Sequence, residues 1–419
     1  MLQSKLFYKS NKDITKSEEF SGLDFLHKGD FIEKLASGVY SFLPLGWRVL
    51  RKIQKIIREE MEAINAQEVS LPSLQPKTIW EESGRWNKME PPLFKLKDQH
   101  NKDFALGPTH EEVITGLVKK RVQSYRDLPI FLFQIQTKFR NEIRSTGSLL
   151  RTREFLMKDL YSFHENKEDL NEYYKRVEGA YRKIFTRLNL DFIQVNALSG
   201  SIGGESSHEF MVQSPLGEDK IYFCDQCKTG FSEEYFLAKN KDKKNILCEK
   251  CNKKLKTRSV IECAHIFNLG EKYSSAFGLN FLDRNGQIKL VSMGCYGIGI
   301  GRIMATIALT HSDKNGLIWP KEVSPFLVHI LNLNLKNEKA IEKIVYEIES
   351  EGIEVLYDDR EDVSSGEKLI EADLIGCPLR IVVSKRTMEK GMVEIKKRGE
   401  ENVEMVKLED VIKYIYDYC

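Results

Sequence analysis

Arg140, Glu142 and Arg144 alternate with Asn141 and Ile143, and Arg151, Thr152, Arg153, Glu154 and Phe155 follow a turn cluster at Ser145-Thr146-Gly147-Ser148. Period-two alternation on both sides of a Gly/Ser turn predicts two antiparallel strands, one over Phe139 to Arg144 and one over Arg151 to Asp159. Arginines on neighbouring strands can hold a triphosphate through paired N–H donors, and Phe155 offers a ring face to a base. This is the equipment of an ATP site without a glycine-rich phosphate loop. Far downstream, Gly294-Cys295-Tyr296-Gly297-Ile298-Gly299-Ile300-Gly301-Arg302 opens an apolar helix with one arginine at its start, where the helix dipole also favours an anion.

A second chemistry is written in the cysteines. Of the eight, Cys224 and Cys227 form one C-x2-C pair and Cys248 and Cys251 another. Each pair lies in a polar turn, and the interval between them is at the upper edge of four-cysteine zinc ribbons. One structural Zn2+ per chain is the expectation, with a set of reduced thiols as the alternative. From Asp219 to Arg258 eleven Lys or Arg stand against six Asp or Glu, so this segment is either a surface for RNA phosphates or a solvated basic face.

The elements that must position these residues are legible at several places. Val49, Ile53, Ile56, Ile57, Met61 and Ile64 follow helical spacing after Leu43-Pro44-Leu45-Gly46, and Glu68-Val69-Ser70-Leu71-Pro72 reads as a strand leaving that helix. The chain from Val195 to about Lys220 is rich in glycine and serine. After Trp319-Pro320 and Ser324-Pro325 the pattern changes. Strands at Phe326 to Leu333, Ile353 to Tyr357 and Leu379 to Val383 alternate with a helix marked by Ile341, Ile344, Val345 and Ile348, which predicts a small α/β domain with a largely parallel sheet.

Length and composition set bounds. A chain of 419 residues with 41% hydrophobic content predicts two or three ordinary domains. The net charge of +2 advertises no global field for nucleic acid. Met1-Leu2-Gln3-Ser4-Lys5-Leu6 lacks the apolar stretch of a secretory signal. The apolar run from Val291 to Thr310 is interrupted by glycines and by Arg302, against a membrane span. A cytoplasmic protein with no membrane partner is expected.

The paired-arginine hairpin and the Gly-rich segment ending in Arg302 resemble motifs 2 and 3 of class II aminoacyl-tRNA synthetases, and the helix-plus-proline strand resembles motif 1, the family's dimer element. The resemblance implies aminoacyl-adenylate formation, in which a carboxylate oxygen attacks the α-phosphorus of ATP. Arg140 would hold the α-phosphate and the attacking carboxylate, and Arg302 the γ-phosphate. Glu142 would orient the adenine or a metal, Phe155 would stack on the adenine, and Arg151 would close over the phosphates. Thr152 and Ser206 complete the ATP set. Oriented binding can supply about 7–11 kcal/mol of barrier reduction, so no general base is needed, and Mg2+ is expected with ATP.

Gly107-Pro108-Thr109-His110-Glu111-Glu112, Met157 to His164, Gly203 to Phe210 and Met293 to Gly297 resemble the bacterial-type prolyl-tRNA synthetases. That resemblance implies Thr109 and Glu111 on the secondary amine of proline, Arg140 on its carboxylate, and Met157, Asp159, Phe163, His208 and Cys295 around the ring. It places Arg144 near the acceptor end of the proline tRNA, and Asp359 and Arg360, within Asp358-Asp359-Arg360, near the anticodon. The fold implied is α+β: a class II antiparallel-sheet catalytic domain over 1–218 and 259–323 (motif 1 about 38–76, motif 2 about 137–164, motif 3 about 291–309). A zinc-ribbon-like insert at 219–258 and an α/β anticodon-binding domain at 324–419 complete it. A homodimer is implied. Two departures stand out: Ser145-Thr146-Gly147-Ser148 replaces an arginine- and proline-containing loop, and only the cysteine segment fills the place of a large editing domain. Editing of alanyl-tRNA in cis is therefore not expected. Threonyl, seryl or glycyl enzymes, or a synthetase-like protein that binds without catalysis, are the alternatives.

Overall fold

The structure is a computed structural model that describes residues 1–10, 21–200, 202–204, 206–240, 246–333 and 338–418. It divides into two compact units. One comprises 36–39 and 54–306, the other 1–35, 40–53 and 307–419.

The first unit is built on a long mixed sheet. Helix α1 (Pro44–Glu62) starts with proline at a position that needs no N–H donor, and its stripe of Val49, Ile53, Ile56, Ile57 and Met61 is fully buried or nearly so. The strand after it, β1 (Gln67–Glu68), is only two residues long and runs parallel to a later strand. Helix α2 is Glu111–Lys119. Then come β2 (Ile130–Phe139), β3 (Glu154–His164), helix α3 (Lys167–Arg187), β4 (Phe192–Ala197) and β5 (Ser206–Gln213). After them follow β6 (Asp219–Cys224), β7 (Thr229–Ser232), β8 (Lys256–Gly270), β9 (Ser292–Gly299) and helix α4 (Ile300–Thr310). The sheet order is β5-β4-β7-β6-β8-β9-β3-β2-β1, and β5 also pairs with β8.

That extra pairing ties the 219–258 segment to the strands that flank it. β8 pairs with β6 along its first residues and with β5 further on, so Val260 faces both Asp219 and Gln213. β7 returns to pair with β4, closing a circuit of strands around Val195, Met211, Ile221, Phe223 and Val260. One face of the segment's strands packs into the sheet through Ile221 and Phe223, and the other packs into the segment's own cluster of Tyr222, Phe231, Phe236 and Leu255. The Gly/Ser-rich stretch likewise holds β5, a full strand.

In the second unit β10 (Val328–Leu333), helix α5 (Glu338–Ser350), β11 (Val355–Asp358), helix α6 (Ser365–Ile375) and β12 (Leu379–Ser384) form the expected parallel alternation. β13 (Met392–Lys397) and β14 (Glu404–Lys407) then add two antiparallel strands, giving the order β11-β10-β12-β13-β14. The sheet is mixed, a correction to the largely parallel expectation. The unit also gathers the N-terminal segment. Phe31 packs on Trp319 at 5.3 Å, Leu2 bridges Tyr357, and the Arg48 guanidinium lies 4.1 Å from the Phe326 ring while pairing with Glu354. Residues 1–35 and 40–53 therefore cluster with 307–419, bound there by stacking and ion pairing.

Candidate active site

Antiparallel β2 and β3 run in register from Ile130↔Phe163 to Phe139↔Glu154. One more backbone bond, from the Arg140 amide to the Arg153 carbonyl at 2.8 Å, closes the ladder. Beyond it the chain opens into a loop with a single 3-10 turn at Ser148–Leu150, and Gly147 and Ser148 take left-handed φ of 63° and 52°. Residues 141–144 and 151–153 are therefore loop, a correction to the strand reading; their alternation belongs to a segment whose partners diverge. Arg144 is exposed on this loop. The Arg140 guanidinium sits 5.2 Å from the Phe155 ring centre, and its Nε has no hydrogen-bond partner.

Side chains of β3 alternate, which sends Phe155, Met157 and Asp159 into a cavity of roughly 880 Å³, open mouth included. Across the ladder, Gly297 and Gly299 of β9 stand opposite Asp159 and Met157 and leave this wall without side chains. Arg140, Glu142, Arg151, Thr152 and Arg302 also line it.

Thr109, Glu111 and Cys295 meet at the inner end. Glu111 opens α2 and is fully buried; its carboxylate accepts from Thr109 Oγ1 at 2.6 Å and Cys295 Sγ at 3.1 Å. Burial first, and the neighbouring carboxylate second, push the Cys295 thiol well above its ordinary range, so it stays a neutral donor. Arg85, which the sequence reading passed over, is 4% exposed and bridges Glu111 at 3.4 Å and Glu112 at 2.9 Å. Two buried carboxylates side by side need that counter-charge. Asp159 is held by Lys138 at 2.8 Å, Gln134 at 2.9 Å and Tyr161 at 2.9 Å, and Lys138 reaches His110 at 2.7 Å. With these partners Asp159 forms a compensated wall. Replacing Thr109 with valine removes a donor from Glu111 at nearly constant volume. We expect the KM for a cationic substrate held by Glu111 to rise about tenfold, from about 1.5 kcal/mol lost for one hydrogen bond to a charged group, with kcat little changed. A KM within twofold of the parent would contradict this.

The opposite wall carries a second charged group that the sequence reading did not single out. Glu262 and His265 on β8 and Glu209 on β5 have ligand atoms within 4.8 Å of one another. His265 Nδ1 lies 3.3 Å from Glu209 and 3.4 Å from Glu262, and its ring stacks on Phe267 at 3.9 Å. Arg302, in the first turn of α4, donates to the Glu262 carbonyl at 2.7 Å and the Leu150 carbonyl at 2.8 Å, with the Glu262 carboxylate at 3.3 Å. Burial opposes the charge of Glu262, but the hydrogen bond from His265 and the charges of Arg302, His265 and Arg140 outweigh it and pull its carboxyl down to about 2. Burial, then Glu262 and Asp219, push Glu209 up to about 9. Glu209 Oε2 and His265 Nε2 have no hydrogen-bond partner.

Three expected residues lie elsewhere. His208 bonds Tyr174 of α3 at 2.8 Å, on the opposite face of β5 from Glu209, because adjacent strand residues face opposite sides. Phe163 continues the inward face of β3 but is sealed in the core with Ile114, Tyr273 and Met293. Ser206 is exposed at the start of β5, outside the cavity lining.

Two family models match the chain: "tRNA synthetase class II core domain (G, H, P, S and T)" over 94–311 and "Anticodon binding domain" over 327–418. The proline–tRNA ligase of Syntrophomonas wolfei is 35% identical over 98% of this chain and 98% of its own, and that of Thermotoga maritima 34% over 98% and 96%. The chain belongs to the prolyl-tRNA synthetase family. Its fold matches the solved prolyl-tRNA synthetase of Cryptosporidium parvum in complex with L-proline and AMP, with a TM-score of 0.77 at 20% identity over 95% of this chain and 77% of that one.

The comparison with prolyl-tRNA synthetases also marks what this member lacks. The alignment with the Syntrophomonas enzyme runs over 558 positions against 419 residues here, so at least 139 positions (558 less 419) fall opposite gaps in this synthetase.

The cysteines stand in two matching turns. Lys228 N donates to the Cys224 carbonyl and Asn252 N to the Cys248 carbonyl, both at 2.8 Å, and Lys228 and Asn252 take left-handed φ of 54° and 59°. The Cys227 amide donates to Cys224 Sγ at 3.4 Å, and all four Sγ atoms lie within 4.8 Å of one another. In the anticodon-binding domain of this synthetase, Asp359 accepts from the Ser4 amide at 2.9 Å. Arg360 is spent on Asp358 at 2.9 and 2.6 Å and on Glu371 at 2.6 Å. The N-terminal segment and α6 thus engage both side chains, which remain partly exposed.

Proposed function

We propose that the cavity condenses proline with ATP to prolyl-adenylate and then passes the prolyl group to the 3′ end of the proline tRNA. The observation that carries this reading is one cavity with a buried carboxylate at its inner end, Glu111, held by Thr109 and Cys295 with Arg85 at 3.4 Å, and a half-buried guanidinium, Arg140, facing the same space. That polarity matches a zwitterionic amino acid. The secondary ammonium of proline would bond Glu111 and Thr109, and its carboxylate Arg140, with Met157 and Cys295 against the ring. Adenine would stack on Phe155 with Thr152 beside it. Arg302 and Arg151 would take the outer phosphates, exchanging their present partners Glu262 and Glu218 for them.

In the first step a carboxylate oxygen of proline bonds to the α-phosphorus and the bond to pyrophosphate breaks. Arg140 neutralises the charge gathered between the two anions. In the second, a ribose hydroxyl of the tRNA attacks the prolyl carbonyl carbon and AMP leaves. Glu262, and Glu209 once its proton is released, would hold Mg2+, a cation that prefers oxygen ligands, and it would screen the ATP phosphates. Arg144 on its exposed loop would meet the acceptor end, and the unit with residues 327–418 the anticodon. One Zn2+ on Cys224, Cys227, Cys248 and Cys251 and a homodimer through α1 belong to the same reading. A cytoplasmic site of action belongs to the same reading; among the described residues no helix is long and apolar enough to cross a membrane. Charging of a proline tRNA transcript with labelled proline, one AMP per prolyl-tRNA, tests the function; ATP turnover without charging would refute it.

Alanine is smaller than proline and fits the same cavity, and each missing methylene costs only about 1–3 kcal/mol. Mischarging is therefore expected, and the gaps against full-length relatives remove the room for a second hydrolytic domain. Purified protein incubated with alanyl-tRNA for proline should release alanine no faster than buffer. Faster release would show a deacylase site in this chain.

A further inference from the structure

Six basic residues of the four-cysteine segment fall into two groups. Lys256 and Arg258 are paired with Asp225. Lys228, beside the first cysteine pair, and Lys250, Lys253 and Lys254, around the second, are all exposed, and no carboxylate among the described residues is given within ion-pair distance of them. The convergence of the four Sγ atoms brings the two lysine-bearing turns to one end of the β6–β7 hairpin. A four-thiolate zinc centre carries a formal charge of −2, which offsets only part of the local lysine excess.

The position of this end matters as much as its charge. β6 begins at Asp219, which shares a cleft with Arg151, Glu262 and Arg302 at the edge of the cavity, and ends at Cys224. Five residues of extended chain span about 17 Å, and stacked nucleotides rise about 3.4 Å each along a strand. The knuckle therefore lies roughly five nucleotides from the phosphate end of the cavity. The loop over 141–149 carries a single basic side chain, Arg144. The knuckle is the larger basic surface of the two.

We propose that the lysine-bearing knuckle is a phosphate-contact surface for the acceptor arm of the tRNA, engaged when the 3′ end enters the cavity. The proposal rests on the synthetase reading and adds a sequence-independent anchor to it. Its test is the triple variant Lys250→Ala/Lys253→Ala/Lys254→Ala beside the triple Lys→Arg variant, each assayed for proline-dependent ATP–pyrophosphate exchange, bound zinc, and the tRNA KM for charging across a salt series. The alanine variant should keep exchange within about twofold and keep its metal. Its tRNA KM should rise about tenfold near 0.1 M salt, and the log–log salt slope should flatten by about two. The arginine variant should match the parent. An unchanged KM and slope would overturn the proposal, as would an arginine variant as impaired as the alanine one. Loss of zinc in the alanine variant would also overturn it, assigning these lysines to the thiolate centre. A parent protein without proline-dependent exchange would sink the underlying reading first, and shows this before any tRNA is added.

Discussion

Replacing Arg140 with methionine should lower kcat/KM for proline-dependent ATP–pyrophosphate exchange by about 10²–10³ while raising the melting temperature of the catalytic unit. The two effects share one cause. The guanidinium is half-buried, its Nε is sealed from solvent without a partner, and burial, then the like charge of Arg302, disfavour its protonated form. An incompletely compensated charge is a standing cost to the apo fold. It is kept because the transition state gathers negative charge between the carboxylate and the α-phosphate, where a pre-placed fork of donors needs no reorganisation. Methionine fills the volume beside Phe155 without the charge, so about 1 kcal/mol of stability is regained, a few degrees in a unit of this size. Exchange kinetics and a thermal melt without ligand read both. Exchange within tenfold of the parent, or a lower melting temperature, would contradict the role given to Arg140.

Zinc removal is the second large effect. Protein purified without added metal should contain close to one zinc per chain, and Cys248→Ser close to none. Structural zinc sites contribute about 10–16 kcal/mol of apparent binding energy, and on the proposed reading that energy would hold β6 and β7 in the sheet that also contains β8. Because Glu262 and His265 sit on β8, the damage should reach the phosphate side of the cavity. The KM for ATP in exchange should rise severalfold while that for proline, set by α2 and β9, moves less. A metal-free parent protein would sink the zinc assignment, and an unchanged ATP KM in a zinc-free variant would show the ribbon to be mechanically separate from the cavity.

Much of this site was legible before the structure. Arg140, Phe155, Arg302, Thr109, Glu111 and Cys295 are far apart in sequence yet line one cavity, as the motif resemblance implied, and α1 follows its apolar spacing. The failures have physical reasons. Whether His208 or Glu209 shares the face of His265 is a question of strand parity, and parity is fixed only by which face α3 covers. Residues 141–144 alternate like a strand but lack a partner strand, which no local pattern reveals. Arg85 and Glu262 act through contacts with residues distant in sequence, and each looks alone like an ordinary charged residue. Asp359 finds Ser4 across 355 positions, beyond any local reading.

The most direct test of the central claim is ATP–pyrophosphate exchange on the purified chain, run separately with each of the twenty standard amino acids. Exchange should be strong with proline and weak but measurable with alanine, the leak that a cavity lacking a size barrier must show. Exchange driven by a different amino acid would contradict the pairing of Glu111 and Thr109 with a secondary amine. Silence with all twenty, from a folded protein that binds ATP, would contradict catalysis itself.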